Sequence, residues 1–210
     1  MSEFQQIIGI DLDNTIINYD ELFYQLACER GFIDTYTPHC KREIRDRVRS
    51  RSTGDDDWWN LQVTVYGERI LEAVPSAGVL QFFERANARS IPIFIISHKT
   101  QHPSKKKTDI DFRKAAWTWL RAQKIIGDHK WSIPHAHVFF EDTRELKVKR
   151  IVRQKCTCFI DDLHETFCEP HFPDGVEQLW FHPGGDAKDR HSRVLPYETW
   201  KELDHYCFPL

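Results

Sequence analysis

Apolar runs of strand length recur along this chain, and most of them end on a carboxylate or a hydroxyl. They are "IIGID" near the start, "IPIFIIS" at 91–97, "HVFFE" at 137–141 and "CTCFID" at 156–161, with "QLWFH" at 178–182 as a fifth. Amphipathic helices separate the later ones. Thr108 or Asp109 opens one that carries Ala115, Ala116, Trp119 and Leu120 and closes near Gly127. Asp142 and Glu145 read as a capping box ahead of another, with Leu146 and Ile151. Strands alternating with helices imply an α/β fold, a Rossmann-like parallel sheet sandwiched by helices. Near-continuous hydrophobic strands suit a sheet covered on both faces.

One gap breaks the rhythm. About eighty residues separate the first two strands, where a crossover needs only a dozen or so. The end of the gap, from 76 through Phe82 and Phe83 to about 89, reads as the crossover helix. The remainder reads as three helices: one with Leu22, Phe23, Leu26 and Ala27, one opening at Thr37-Pro38, and one after "GDDD" with Trp58, Leu61 and Ile70. The expected organisation is therefore a core of residues 1–17 and 74–210, with a small α-helical cap, 18–73, inserted after the first strand.

Composition narrows the function classes. The 210 residues carry a formal net charge of −3, which argues against nucleic acid or a membrane surface as partner, since those partners favour a basic excess. No stretch is long and apolar enough to span a bilayer, and the N-terminus lacks the pattern of a signal peptide, so the expected location is cytoplasmic. Six cysteines in a chain this long read as reduced thiols. Cys156 and Cys158, with His164, Cys168 and His171 further on, invite a zinc reading, but C-x-C departs from the usual C-x2-C knuckle and "CTCFI" alternates as a buried strand does.

The strand ends carry the chemistry. Residues two apart on an extended chain share a side, so Asp11 and Asp13 project together at the carboxyl end of the first strand, where open α/β sheets bind ligands. Asp161 and Asp162 follow another strand in the same position. Carboxylates gathered at one sheet edge repel unless a cation sits among them, and an all-oxygen donor set with room for water selects Mg²⁺. Ser97, at the end of the second strand, can donate to a phosphoryl oxygen, and either Lys147 or Lys149 can neutralise charge. These are the parts needed to move a phosphoryl group.

In this order, with each motif after a strand, the residues resemble the haloacid dehalogenase superfamily. Its D-x-D-x-T motif appears as "DLDNT" (11–15), its strand-end hydroxyl in "FIISHKT", its lysine in "ELKVKRI" and its acidic motif as "FIDDLHE". The superfamily also places a helical cap after the first motif. The resemblance implies that Asp11 attacks phosphorus and becomes an aspartyl-phosphate, while Asp13 acts as general acid and then as general base. Members that break carbon–halogen bonds lack this second aspartate, so the resemblance favours a phosphatase. It further implies that Thr15 steadies the turn among the phosphate-binding groups and that Ser97 and the motif lysine hold phosphoryl oxygens. Mg²⁺ would take carboxylate oxygens of Asp11 and Asp161 and the backbone carbonyl of Asp13, with Asp162 a direct ligand or the holder of a coordinated water. Lys147 suits a helix start aimed at the site, whereas Lys149 is turned by roughly 200 degrees. Glu165 matches a third acidic position of longer motifs and equally reads as a solvated first-turn acid. Asn14, where the family prefers glycine, also tolerates a left-handed turn.

The expected activity is a Mg²⁺-dependent phosphatase acting on a small phosphorylated metabolite. Two other readings compete with it. The arginine-rich "KREIRDRVRSR" (41–51) suggests a polynucleotide end phosphatase, although a solvated cap face explains the same charge run, as an exposed loop explains "SKKK" (104–107). A phospho-accepting signalling module uses similar groups, but with the acidic pair first and the acceptor on a middle strand. His98 reads as a loop residue, and Trp58 and Trp59 as core.

Overall fold

The computed structural model describes residues 5–103, 108–185, 194 and 196–209, so the "SKKK" segment lies outside the described residues. Two compact units account for the chain: the described parts of Met1–Ile16, Pro75–Lys99 and Gln123–Leu210, and those of Ile17–Val74 and Thr100–Ala122. No helix among the described residues is long and apolar enough to cross a membrane.

The first unit is built on a six-stranded parallel sheet. Strand β1 (Ile8–Ile10) lies at its centre, between β4 (Ile93–His98) and β6 (Cys158–Asp161). Strand β5 (Val138–Glu141) pairs outside β4, and β7 (Glu177–Phe181) and then β8 (Pro196–Tyr197) pair outside β6. The chain thus builds outward from β1 to one edge, returns, and builds outward to the other, which makes the β1/β6 junction the switch point where such sheets open a ligand crevice. The short β8 escapes the pattern of apolar runs.

Helices cover both faces because successive strand residues point opposite ways. Phe159 and Trp180 join Ile96 and Ile151, the last from α6 (Arg144–Arg153), in one buried cluster. The alternate residue Phe181 meets Trp200 of α8 (Trp200–Cys207), whose indole also packs on Phe82 and Phe83 of α4 (Val79–Ala88). Helix α6 begins differently from the capping box expected at Asp142 and Glu145. Thr143 is the N-cap and its hydroxyl accepts from the Leu146 amide at 3.1 Å, because Thr143 has the extended backbone that a cap requires.

The second unit is helical: α1 (Asp20–Glu29), α2 (Lys41–Arg49), α3 (Gly54–Val63), a π turn at Thr64–Glu68 and a 3-10 turn at Ile70–Glu72. Strands β2 (Ile17–Asn18) and β3 (Val74–Pro75) pair where the inserted segment begins and ends. Leu22, Phe23, Leu26, Ala27, Trp58, Leu61 and Ile70 are buried as their spacing requires, and Trp58 stacks on Phe23 with ring centroids 4.9 Å apart. Helix α2 starts at Lys41, not at Thr37-Pro38. The Thr37 hydroxyl closes a turn onto Asp34, and the Lys41 amide at the start of α2 donates to the Asp20 carboxylate at 3.1 Å, a cap supplied from another helix that no local signal encodes.

Residues 100–122 also group with these helices, whereas the strand–helix rhythm assigns them to the core. Helix α5 (Phe112–Ala122) packs on the π turn through Phe112 and Tyr66, and the Trp119 indole donates to the Ala73 carbonyl at 2.9 Å.

The centre of the sheet sets a strict size limit. A Cβ at Gly9 would stand 2.5 Å from Cδ2 of Phe159, its register partner, and 2.9 Å from Sγ of Cys156. Gly9→Ala is expected to destabilise the protein by about 1–3 kcal/mol, the usual cost of overpacking, read as a lowered midpoint in urea unfolding. An unchanged midpoint would contradict this packing.

Candidate active site

Asp11 is the first residue beyond β1, and its amide donates to the Ile160 carbonyl at 2.9 Å, which extends the ladder and fixes its backbone. Ile10 stands opposite both Ile95 and Ile160, so Asp11 is level with Ile96 and Asp161, and β4 runs on two further residues to His98. That register brings Asp11, Ser97 and Asp161, all buried, to one edge.

Lys147 enters from the first turn of α6. Its ammonium lies 2.6 Å from Oδ1 of Asp11 and 2.6 Å from Oδ2 of Asp161, with side-chain exposures of 2%, 6% and 0% for the three groups. Of the two candidate lysines, Lys147 is the one at this edge, since Lys149 lies on the exposed face of α6 and pairs with Glu145. Burial opposes the Lys147 ammonium, and the attraction of Asp11 and Asp161 outweighs it, so its pKa lies above the ordinary lysine value. Burial pushes the Asp11 carboxyl up to about 7, Lys147 pulling it down and Asp161 and Asp13 adding to the rise.

The turn after β1 holds the rest. Asn14 adopts the left-handed backbone (φ 58°) that asparagine tolerates at little cost. The Thr15 hydroxyl accepts from the Asp162 amide at 3.1 Å and donates to Asp162 Oδ1 at 3.4 Å, which ties the first motif to the acidic motif. Asp161 Oδ1 accepts from the Leu163 amide, and the Trp180 indole donates to the Asp162 carbonyl. Glu165 is exposed on the short helix α7 (His164–Phe167). His98 is the last residue of β4, opposite Glu141, and not the loop residue expected; its ring contacts the Asp142 carbonyl at 3.1 Å.

Asp11, Asp161 and Asp162 form an acidic triad in which one carboxylate oxygen from each lies within 4.8 Å of the others. Three oxygens, two of them from buried residues, are the donor chemistry that a hard divalent cation takes, so the cluster fits such an ion. The Asp13 carboxylate is not part of the triad. Both of its oxygens accept from Lys99, at 2.9 and 2.6 Å. Lys99 is the site residue that motif reasoning misses. Its signal is nonetheless present, because it lies two residues beyond Ser97 and so falls on the same side of the extended chain.

The architecture is shared with known enzymes. A haloacid dehalogenase-like hydrolase from Streptococcus pneumoniae is similar to this chain with a TM-score of 0.59 and 12% identity, over 96% of this chain and 98% of that one. A HAD family hydrolase from Deinococcus radiodurans, solved with bound phosphate and sodium, is similar with a TM-score of 0.56 and 13% identity, over 96% and 94%. A structure described as a dehalogenase is similar as well, with a TM-score of 0.54 and 9% identity, over 97% of each chain. No family model matches the sequence. No curated protein matches it either. The chain therefore has the fold of the haloacid dehalogenase-like hydrolases, with an acidic cluster suited to a metal at the end of its central strands.

The raised pKa of Asp11 makes its ionisation visible in stability. Between the ordinary value of 3.8 and about 7, the folded protein retains a proton that the unfolded chain has already released, so the fold loses stability as pH rises through that window. In metal-free buffer, wild type should lose thermal stability relative to Asp11→Asn as pH rises from 3.8 to about 7. Parallel melting curves across the window would refute the assignment.

Proposed function

We propose that this chain is a divalent-metal-dependent phosphatase of the haloacid dehalogenase superfamily, acting on a small phosphate monoester through an aspartyl-phosphate. The observation that carries the reading is the Asp11 carboxylate, buried beside Lys147 and Asp161 and followed two residues later by Asp13. Fold likeness alone does not separate phosphoryl from carbon–halogen chemistry. Asp13 favours the former, because a leaving alkoxide needs a proton and a halide does not.

In this reading an Asp11 oxygen bonds to phosphorus as the ester P–O bond breaks, and the leaving oxygen takes a proton from Asp13. Asp13 then removes a proton from water as that water attacks the aspartyl-phosphate, releasing phosphate and restoring both carboxyls. Lys147 and Ser97 hold the phosphoryl oxygens. Thr15 contributes by fixing the two acidic loops to each other. Asp11, Asp161 and Asp162, with the Asp13 backbone carbonyl, would hold Mg²⁺. When bound, Mg²⁺ supplies the positive charge that favours ionised Asp11 and offsets charge on the phosphoryl group.

A small ester suits the charge distribution better than a nucleic acid end. Within "KREIRDRVRSR", Arg45, Arg47, Arg49 and Arg51 contact Asp46, Asp34, Asp55 and Asp57 respectively, so the run is largely neutralised by its neighbours.

Purified protein with Mg²⁺ is expected to release phosphate from members of a panel of small phosphomonoesters, with EDTA abolishing and excess Mg²⁺ restoring the activity. Asp11→Asn should lower the rate by about a thousandfold or more while the protein stays folded. No release across the panel, or an active Asp11→Asn variant, would end this reading.

A further inference from the structure

Lys99 has no part in the chemistry above, yet it is built in with care. Its amide donates to the Glu141 carbonyl at 2.9 Å, so its backbone continues the β4–β5 ladder. Its side chain is 3% exposed and that of Asp13 is 23% exposed, so an ion pair here is shielded from the solvent screening that weakens surface pairs. An ammonium this buried demands an anion, and it grips both Asp13 oxygens, at 2.9 and 2.6 Å.

The two aspartates of the first motif are therefore held by different lysines. Lys147 takes Asp11 and Asp161, and Lys99 takes Asp13. A carboxylate held at one oxygen can swing to either side of the contact, whereas an ammonium close to both oxygens lies near the Cβ–Cγ axis and fixes the direction in which the carboxyl points. That direction matters because proton transfer requires hydrogen-bond reach to the reacting oxygen.

We propose that Lys99 is a positioning residue for general acid–base catalysis, one that orients the Asp13 carboxyl toward the leaving oxygen. When Asp13 carries the proton, one oxygen gives up its lysine contact to become the O–H donor and the other keeps it, so orientation survives the transfer. The proton passes from Asp13 to the leaving oxygen, and Lys99 gains and loses none. This role rests on the phosphatase reading and adds a residue that the superfamily motifs do not contain.

The test compares leaving groups. A p-nitrophenolate departs without a proton, whereas a glycerol alkoxide does not. In Lys99→Met, kcat/KM on glycerol phosphate is expected to fall by about tenfold or more beyond the fall on p-nitrophenyl phosphate, the low end of what a positioned acid contributes. Inhibition by inorganic phosphate should stay within about twofold of wild type, because positioning Asp13 does not hold the phosphoryl group. Lys99→Gln, which keeps a donor without the charge, provides a milder variant should Lys99→Met fail to fold, and should show the same selective loss in smaller measure. Adding Lys99→Met to Asp13→Asn should cost little more on glycerol phosphate than Asp13→Asn alone. With wild type active, equal losses on both esters or a weakened phosphate inhibition would overturn the inference and make Lys99 a binding or structural group. A wild type inactive on both esters would overturn the phosphatase reading, and the inference with it.

Discussion

The ammonium of Lys147, shared between Asp11 and Asp161 in a buried site, is the interaction around which the first unit is organised. Two carboxylates at the ends of adjacent strands repel, and burial raises the cost of each charge. Lys147 offsets both terms by standing 2.6 Å from each. The constraint reaches well beyond three side chains. It requires β1 and β6 to be neighbours, their ends to be level, and α6 to begin close to that edge. The parallel register Ile10↔Ile160 meets the first two conditions, and the Thr143 cap sets where α6 begins. Breaking such a cluster by removing one partner typically costs about 3–5 kcal/mol, since a buried charge is left alone. Stability and chemistry are therefore tied to the same few atoms.

A second consequence concerns Asp11 itself. Burial, with Asp161 and Asp13 adding to it, raises its pKa in spite of Lys147. In the proposed reading Asp11 is the nucleophile and must be ionised, so the site is suited to a further positive charge. The neighbouring oxygens of Asp161 and Asp162 are of the kind that hold a hard cation. Lys99 separately pairs Asp13, whose side chain adds to the same repulsion. Four carboxylates at one sheet edge are made tolerable by two differently placed lysines, each bound to its own aspartate of the first motif.

Much of this was legible in the linear pattern, and the exceptions have physical causes. The central strands announced themselves because both of their faces are buried, which forces unbroken apolar runs ending in polar groups. Helix termini were harder. Thr143 displaced the expected cap at Asp142 because a cap depends on backbone angles that composition does not show, and α2 started late because its cap, Asp20, comes from another helix. The grouping of 100–122 with the helical insertion was hidden for a similar reason. An amphipathic helix displays an apolar stripe without naming the surface that will cover it.

What the sequence by itself determined was the alternation of strands and helices, the long insertion after β1, and the acidic, hydroxyl and basic residues at strand ends. These are local facts, carried by periodicity and by neighbours in the chain. Tertiary structure alone decided that Lys147 rather than Lys149 meets Asp11, that the Thr15 hydroxyl binds Asp162, and that Lys99 holds Asp13. Each of those pairings joins groups far apart in sequence. It depends on strand register and helix docking, which are settled by packing over the whole sheet and which no short stretch of residues fixes.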